Sequence, residues 1–147
     1  IDHMLKEGIN LAIGTDGPAS NNCLDMFREM FLVTALAKYR ENDASAVDAL
    51  EVLKMATIGG AKAMNLTDCD VLAEGKEADI IMIDLNQPNM QPIHNIQKNL
   101  VYSGSKQNVK LTMVAGKILY ENGEFFIGTD AYKIYEKAND IAERIVK

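Results

Sequence analysis

At 147 residues, with 48% hydrophobic and 24% charged side chains, the chain is long enough to bury a sizeable core and too apolar to be disordered. A net charge of −6, with lysines and arginines scattered and no basic stripe, excludes a nucleic-acid surface. The longest apolar run, residues 30–37 with one threonine, falls far short of the roughly 20 residues that span a bilayer, and two cysteines are too few for a disulfide framework, which points to a reducing cytoplasm.

Residues 1–8 predict the tail of a helix stopped by Gly8. Residues 9–13 form a near-continuous apolar run, which suits a parallel strand covered on both faces. The run ends in Gly14-Thr15-Asp16-Gly17 and passes through small polar residues into a helical pattern. In α/β architectures, the end of a buried strand just before a helix carries the catalytic groups. Asp16 is the only charged side chain between Glu7 and Asp25, and the glycines around it permit unusual backbone angles and close approach. The pattern presents a carboxylate at a strand tip; the competing role is to turn the chain or cap the next helix. Ser20, Asn21 and Asn22 are each able to cap that helix, and each lies near enough to Asp16 to support it.

The helix expected over residues 23–40 carries Leu24, Phe27, Met30, Phe31, Thr34 and Leu36 at spacings near three and four, an amphipathic face for packing over a sheet. Cys23 has no local histidine to activate it and reads as structural. After a turn at residues 41–43, Ser45 and Asp48 approximate a capping box. The helix they open stops at Gly59-Gly60, and a short helix over residues 61–66 follows.

From Thr67 the character changes to short β signals. Residues 78–84 predict a strand with a buried centre, residues 86–97 an irregular crossing segment, and residues 100–102, 109–115 and 117–120 further strands. Residues 114–117 read as a tight hairpin and residues 121–124 as a second turn. Asp130 begins a terminal helix with Ile134, Tyr135, Ala138, Ile141, Ala142 and Ile145 in one stripe. A lipid-binding helix is basic on its polar face; this one mixes both signs, so the stripe is expected to dock on the protein body or on a subunit partner.

Residues 8–22, followed by Leu24-Asp25-Met26-Phe27-Arg28-Glu29-Met30, resemble the eighth barrel strand and following loop of the amidohydrolase superfamily. Within it they are most similar to the deaminase and chlorohydrolase branch, which includes 5-methylthioadenosine/S-adenosylhomocysteine deaminases. Residues 55–64, Met-Ala-Thr-Ile-Gly-Gly-Ala-Lys-Ala-Met, and residues 74–84, Glu-Gly-Lys-Glu-Ala-Asp-Ile-Ile-Met-Ile-Asp, agree in the same order. The resemblance implies an α/β fold in three parts. Residues 1–68 are the C-terminal end of a TIM barrel, residues 69–127 part of a small composite β-sandwich domain, and residues 128–147 a helix docking on the body. It also implies that Asp16 binds a single catalytic metal and moves protons for the attacking water. That metal is expected to be zinc, with iron as the alternative.

The family's metal histidines and acid/base glutamate come from earlier strands. This chain has only His3 and His94, and no His-x-His. His3 precedes the strand and reads as a helix-end residue, and His94 matches a Pro-x-His connection that the family places outside the metal cluster. A chain that begins inside a helix tail, with one strand of a barrel, is expected to be the C-terminal part of a longer polypeptide and inactive alone. The implied reaction is hydrolytic deamination of a purine nucleoside. The alternatives are s-triazine dechlorination, guanine deamination, or a non-catalytic binding or assembly module. The implied partner is the small-molecule substrate, with no nucleic acid and no membrane, and a homo-oligomer is left open.

Overall fold

The computed structural model describes residues 1–146, beginning with a short helix, α1 (Asp2–Lys6). Gly8, at φ 72°, ends it: its N–H donates to the Leu5 carbonyl and the Ile9 N–H to the Met4 carbonyl, both at 3.0 Å, the paired bonds of a Schellman stop. Residues 9–13 then run along the molecule without joining a sheet among the described residues. Leu11 and Ile13 are half-buried, while Ile9, Asn10 and Ala12 are exposed, so the expected strand buried on both faces is not formed within this chain. Such burial needs neighbours on both edges and cover on both faces; here the cover comes from one side.

That side is helical. α2 (Met26–Glu41), α3 (Ala49–Ala56) and α4 (Ile58–Ala63) follow in order. The Ile13 N–H donates to the Met55 carbonyl at the end of α3, and Asn10 Nδ2 donates to the Gly59 carbonyl in α4, each at 3.1 Å. A Cβ on Gly59 would run into the Leu11 carbonyl oxygen, so glycine is what lets the two backbones approach. Gly59 and Gly60 therefore lie inside α4 and do not stop a helix; the break between α3 and α4 falls at Thr57.

α2 begins later than the sequence pattern suggests. Leu24 is at φ 41°, which no right-handed helix accommodates, and Asp25, not Ser20, Asn21 or Asn22, supplies the cap by accepting the Phe27 N–H at 3.0 Å. The buried face is Phe27, Met30, Thr34 and Ala37, whereas Phe31 and Leu36 remain 47% and 61% exposed. α2 rests chiefly on α3 and on a further helix, α5 (Ile96–Tyr102). Asp48 alone caps α3, accepting the Leu50 N–H at 2.8 Å, while Ser45 donates from its N–H and hydroxyl to Asp43 and belongs to the preceding turn.

Four strands, β1 (Ile80–Ile83), β2 (Val109–Val114), β3 (Lys117–Glu121) and β4 (Glu124–Phe125), form one antiparallel sheet in the order β1-β2-β3-β4. Ile80 faces Met113 and Met82 faces Leu111 in the antiparallel β1–β2 register. β2 and β3 turn on Ala115 and Gly116 (φ 47° and 75°), β3 and β4 on Asn122 and Gly123 (φ 48° and 97°); two consecutive positive φ values match the twist of the flanking strands. Residues 100–102, expected as a strand, lie instead in α5, because Asn95 accepts the Lys98 N–H at 2.9 Å and starts a helix that the β-branched and aromatic residues then continue.

The core gathers Phe27, Met30, Ala37, Val47, Ala49 and Val52 with Val101 of α5, and Ile83 and Val109 pack against it. Val101 thus brings α5, inserted between β1 and β2, onto the core formed by α2 and α3. Last comes α6 (Ala131–Ile145), capped by Asp130 accepting the Tyr132 N–H at 2.7 Å. None of its described residues is buried, and Ile134, Tyr135 and Ile141 of its stripe are exposed. No helix among the described residues is long and apolar enough to cross a membrane.

Candidate active site

Asp16 stands three residues beyond Ile13, the point at which the extended segment is tied to α3. Its backbone is left-handed, φ 57°, a conformation that Asp tolerates better than most residues because its short side chain bonds locally. Here Asp16 Oδ1 accepts the N–H of Gly17 at 2.7 Å, and the residue is exposed. One carboxylate oxygen is thus oriented by the main chain, which leaves Oδ2 for an outside ligand or a proton.

The loop then folds back on itself. The Gly17 carbonyl accepts the N–H groups of Ser20 and Asn21 at 3.0 and 2.9 Å, across a turn that Pro18 initiates. Asn21 Oδ1 accepts the Cys23 N–H at 3.1 Å, and Asn21 Nδ2 donates to Glu29 Oε1 at 2.6 Å. The sequence marks Asn21 as a possible cap or a support for Asp16; its partner eight residues on follows no helical or strand period, so the pairing itself has no sequence signature.

The other residues weighed from sequence lie outside any cluster. His3 is exposed on α1 and His94 is exposed in the connection before α5, while Cys23 and Cys69 are half-buried free thiols. Among the described residues no group of three or more His, Cys, Asp or Glu is placed to hold a metal ion. Asp16 offers a hard, exposed oxygen donor, which suits one position of a divalent-metal site and cannot complete one.

Two concavities, of about 490 and 300 Å³, lie elsewhere. The larger is a dimple on α6 between Lys137, Asp140, Glu143 and Arg144. The smaller runs between α4 and the 67–76 segment, where Lys76 Nζ lies 2.9 Å from Asp70 and also donates to the Thr67 carbonyl. The hydrogen bond from Lys76 holds the Asp70 carboxyl below its usual range, and the same bond raises the Lys76 ammonium. Both charges are spent on each other, so this is a clasp on the passage from α4 to β1.

A second polar centre also escapes sequence reasoning. Asn108 is buried, and its amide exchanges bonds with Asn89, Asn89 Nδ2 to Asn108 Oδ1 at 2.9 Å and Asn108 Nδ2 to Asn89 Oδ1 at 3.2 Å. Asn108 Oδ1 also accepts the Ser105 N–H at 2.9 Å. Nearby, Gln87 Nε2, the Asn86 N–H and then Lys110 bring the Asp84 carboxyl below the ordinary carboxylate value. These contacts order the crossing segment without any repeat or motif to announce them.

Against known proteins, the model of the amidohydrolase family matches residues 1–119. The 5-methylthioadenosine/S-adenosylhomocysteine deaminase of Thermoanaerobacter pseudethanolicus is 43% identical over 149 residues, covering 98% of this chain and 34% of its own. A solved adenosine deaminase from Xanthomonas campestris with bound zinc superposes with a TM-score of 0.93 at 38% identity, over 98% of this chain and 33% of that one. An atrazine chlorohydrolase from Arthrobacter aurescens complexed with zinc gives a TM-score of 0.80 at 28% identity, over 95% of this chain and 31% of that one. The chain spans about a third of the length of the curated relatives it matches.

Proposed function

This chain belongs to the amidohydrolase family, and from that premise we propose that it forms the C-terminal third of a metal-dependent hydrolase that deaminates a purine nucleoside of the 5-methylthioadenosine or S-adenosylhomocysteine type. The observation that carries the reading is the 43% identity to a deaminase of that name across 98% of this chain. The chlorohydrolase reading has weaker support, 28% identity against 38% for the adenosine deaminase.

In this proposal residues 1–68 supply the last strand and helices of a (β/α)8 barrel, residues 69–127 part of a small composite β domain, and residues 128–147 a helix docked on the body. Three features support it. Residues 9–13 are extended and tied on one side only, and β1, at the edge of its sheet, has room for a further strand. The exposed Ile134, Tyr135 and Ile141 of α6 give that helix an apolar face to dock with.

Asp16 is proposed as one metal ligand and as the proton carrier. A divalent metal, zinc by analogy with the relatives, supplies positive charge that lowers the pKa of water to about 7. The part played by this chain is then acid–base work. Asp16 Oδ2 takes a proton from the attacking water and returns it to the departing amine, so that nucleoside and water give the 6-oxo nucleoside and ammonia. The Gly17 N–H, on Oδ1, keeps the carboxylate from rotating between the two steps.

Steady-state assays of the full-length zinc-loaded protein test this reading. Ammonia release and the adenine-to-hypoxanthine absorbance change are expected with 5-methylthioadenosine and S-adenosylhomocysteine. No release from either, with chloride released from an s-triazine, would replace the deaminase reading with the dechlorinating one.

A further inference from the structure

We infer that Asn21, held by Glu29, is the positioning residue that fixes the Asp16 loop against α2; the inference rests on the role proposed for Asp16. The contacts form one continuous path. Asp16 Oδ1 accepts the Gly17 N–H at 2.7 Å, the Gly17 carbonyl accepts the Asn21 N–H at 2.9 Å, and Asn21 Nδ2 donates to Glu29 Oε1 at 2.6 Å. Each link is short, and the last is charge-assisted, the stronger kind of hydrogen bond.

The far end of the path is rigid for reasons already visible in α2. Asp25 caps its first turn, and Phe27 and Met30, on either side of Glu29, are buried in the core. Glu29 itself is only half-buried and sits in the first turn, where the helix dipole favours a carboxylate. The near end needs such an anchor. Asp16 and Leu24, which bracket the loop, both have positive φ, and left-handed backbone at such residues persists only where the surroundings hold it. The Asn21 side chain reaches α2 at Glu29, and its own Oδ1 fixes the Cys23 N–H at the same time. It touches neither substrate nor metal in this scheme; it sets where Asp16 stands.

The test compares Asn21→Ala, Glu29→Ala and Glu29→Gln with Asp16→Asn in the full-length protein. Three quantities are read: zinc affinity by competition with a chromogenic chelator, kcat and KM at full zinc occupancy, and thermal midpoint. Partners that orient a metal ligand typically contribute about 10–100-fold in affinity or activity. Asn21→Ala and Glu29→Ala are each expected to lower zinc affinity and kcat by about that factor with KM little changed. Glu29→Gln, whose amide oxygen still accepts from Asn21, should recover most of the loss. A merely structural role would lower the midpoint and leave zinc affinity and kcat of the folded fraction intact, and that result overturns the inference. Should Asn21→Ala fail to fold, the two Glu29 variants decide: equal zinc affinity and kcat in Glu29→Ala and wild type reject it. A near-normal rate for Asp16→Asn at full occupancy, by contrast, removes the underlying reading of Asp16, whatever Asn21 does.

Discussion

Asp16 concentrates the chemistry proposed here in a single carboxylate. Asp16→Asn keeps the side-chain shape but removes the charge and the basicity. General acid–base assistance is worth typically about 10²–10⁴-fold, so turnover of the full-length protein should fall by at least that much, with folding nearly unchanged because the residue is exposed. Kinetics with zinc content measured on the same samples check this. A different carboxylate, Asp84, contributes to stability. Its folded-state pKa is depressed by Gln87 and Asn86, so its contribution is present above the unfolded value and is lost as pH falls through the folded one. Asp84→Asn should therefore lower the thermal midpoint at neutral pH, and the gap from wild type should close below about pH 4. A gap that stays constant from neutral pH into acid would show that the effect is steric. Asp16 could be singled out as a candidate from sequence because a lone charge between glycines at the end of an apolar run is a local pattern. The bond from Asn21 to Glu29 was not, because it depends on how the loop folds back.

Among the elements, the crossing segment before β2 depends on Asn108. Replacing it with alanine removes the acceptor of the Ser105 N–H and the donor to Asn89 Oδ1, while Asn89 Nδ2 keeps the Ser103 carbonyl, and each lost hydrogen bond is worth about 0.5–1.5 kcal/mol. Urea unfolding of Asn108→Ala should show a loss of that order, and an unchanged midpoint would mean that water replaces the amide at no cost. The turns at 115–116 and 122–123 and the helix opened by Asp130 were legible, since their geometry depends on residues adjacent in the chain. The element at 100–102 was not: Leu-Val-Tyr favours a strand locally, and the deciding residue is the cap at Asn95. Residues 9–13 show the opposite limit. Their apolar run describes an environment with strands on both sides, whereas this chain covers one side.

For the whole molecule, the exposed apolar side chains decide what the chain does by itself. Leu36, Met64, Leu72, Tyr132 and Ile145 are each more than 60% exposed, and α6 buries nothing. Large unsatisfied apolar surface marks a missing contact. The isolated chain should purify without stoichiometric zinc, show no deaminase activity, and bind a hydrophobic dye strongly. One tightly held zinc per isolated chain would give His3 or His94 a role that their placement here does not suggest.

The shared core has a consequence for anyone recombining this protein with its relatives. Val101 on α5 completes the packing of Phe27, Val47 and Val52, so a crossover at residue 68 would split seven side chains that fit one another between two parents. Junctions placed outside residues 27–109 keep that set together. Libraries that keep residues 27–109 from one parent should yield many more soluble, folded chimeras than libraries joined near 68, even though the second site looks like the natural seam in the sequence.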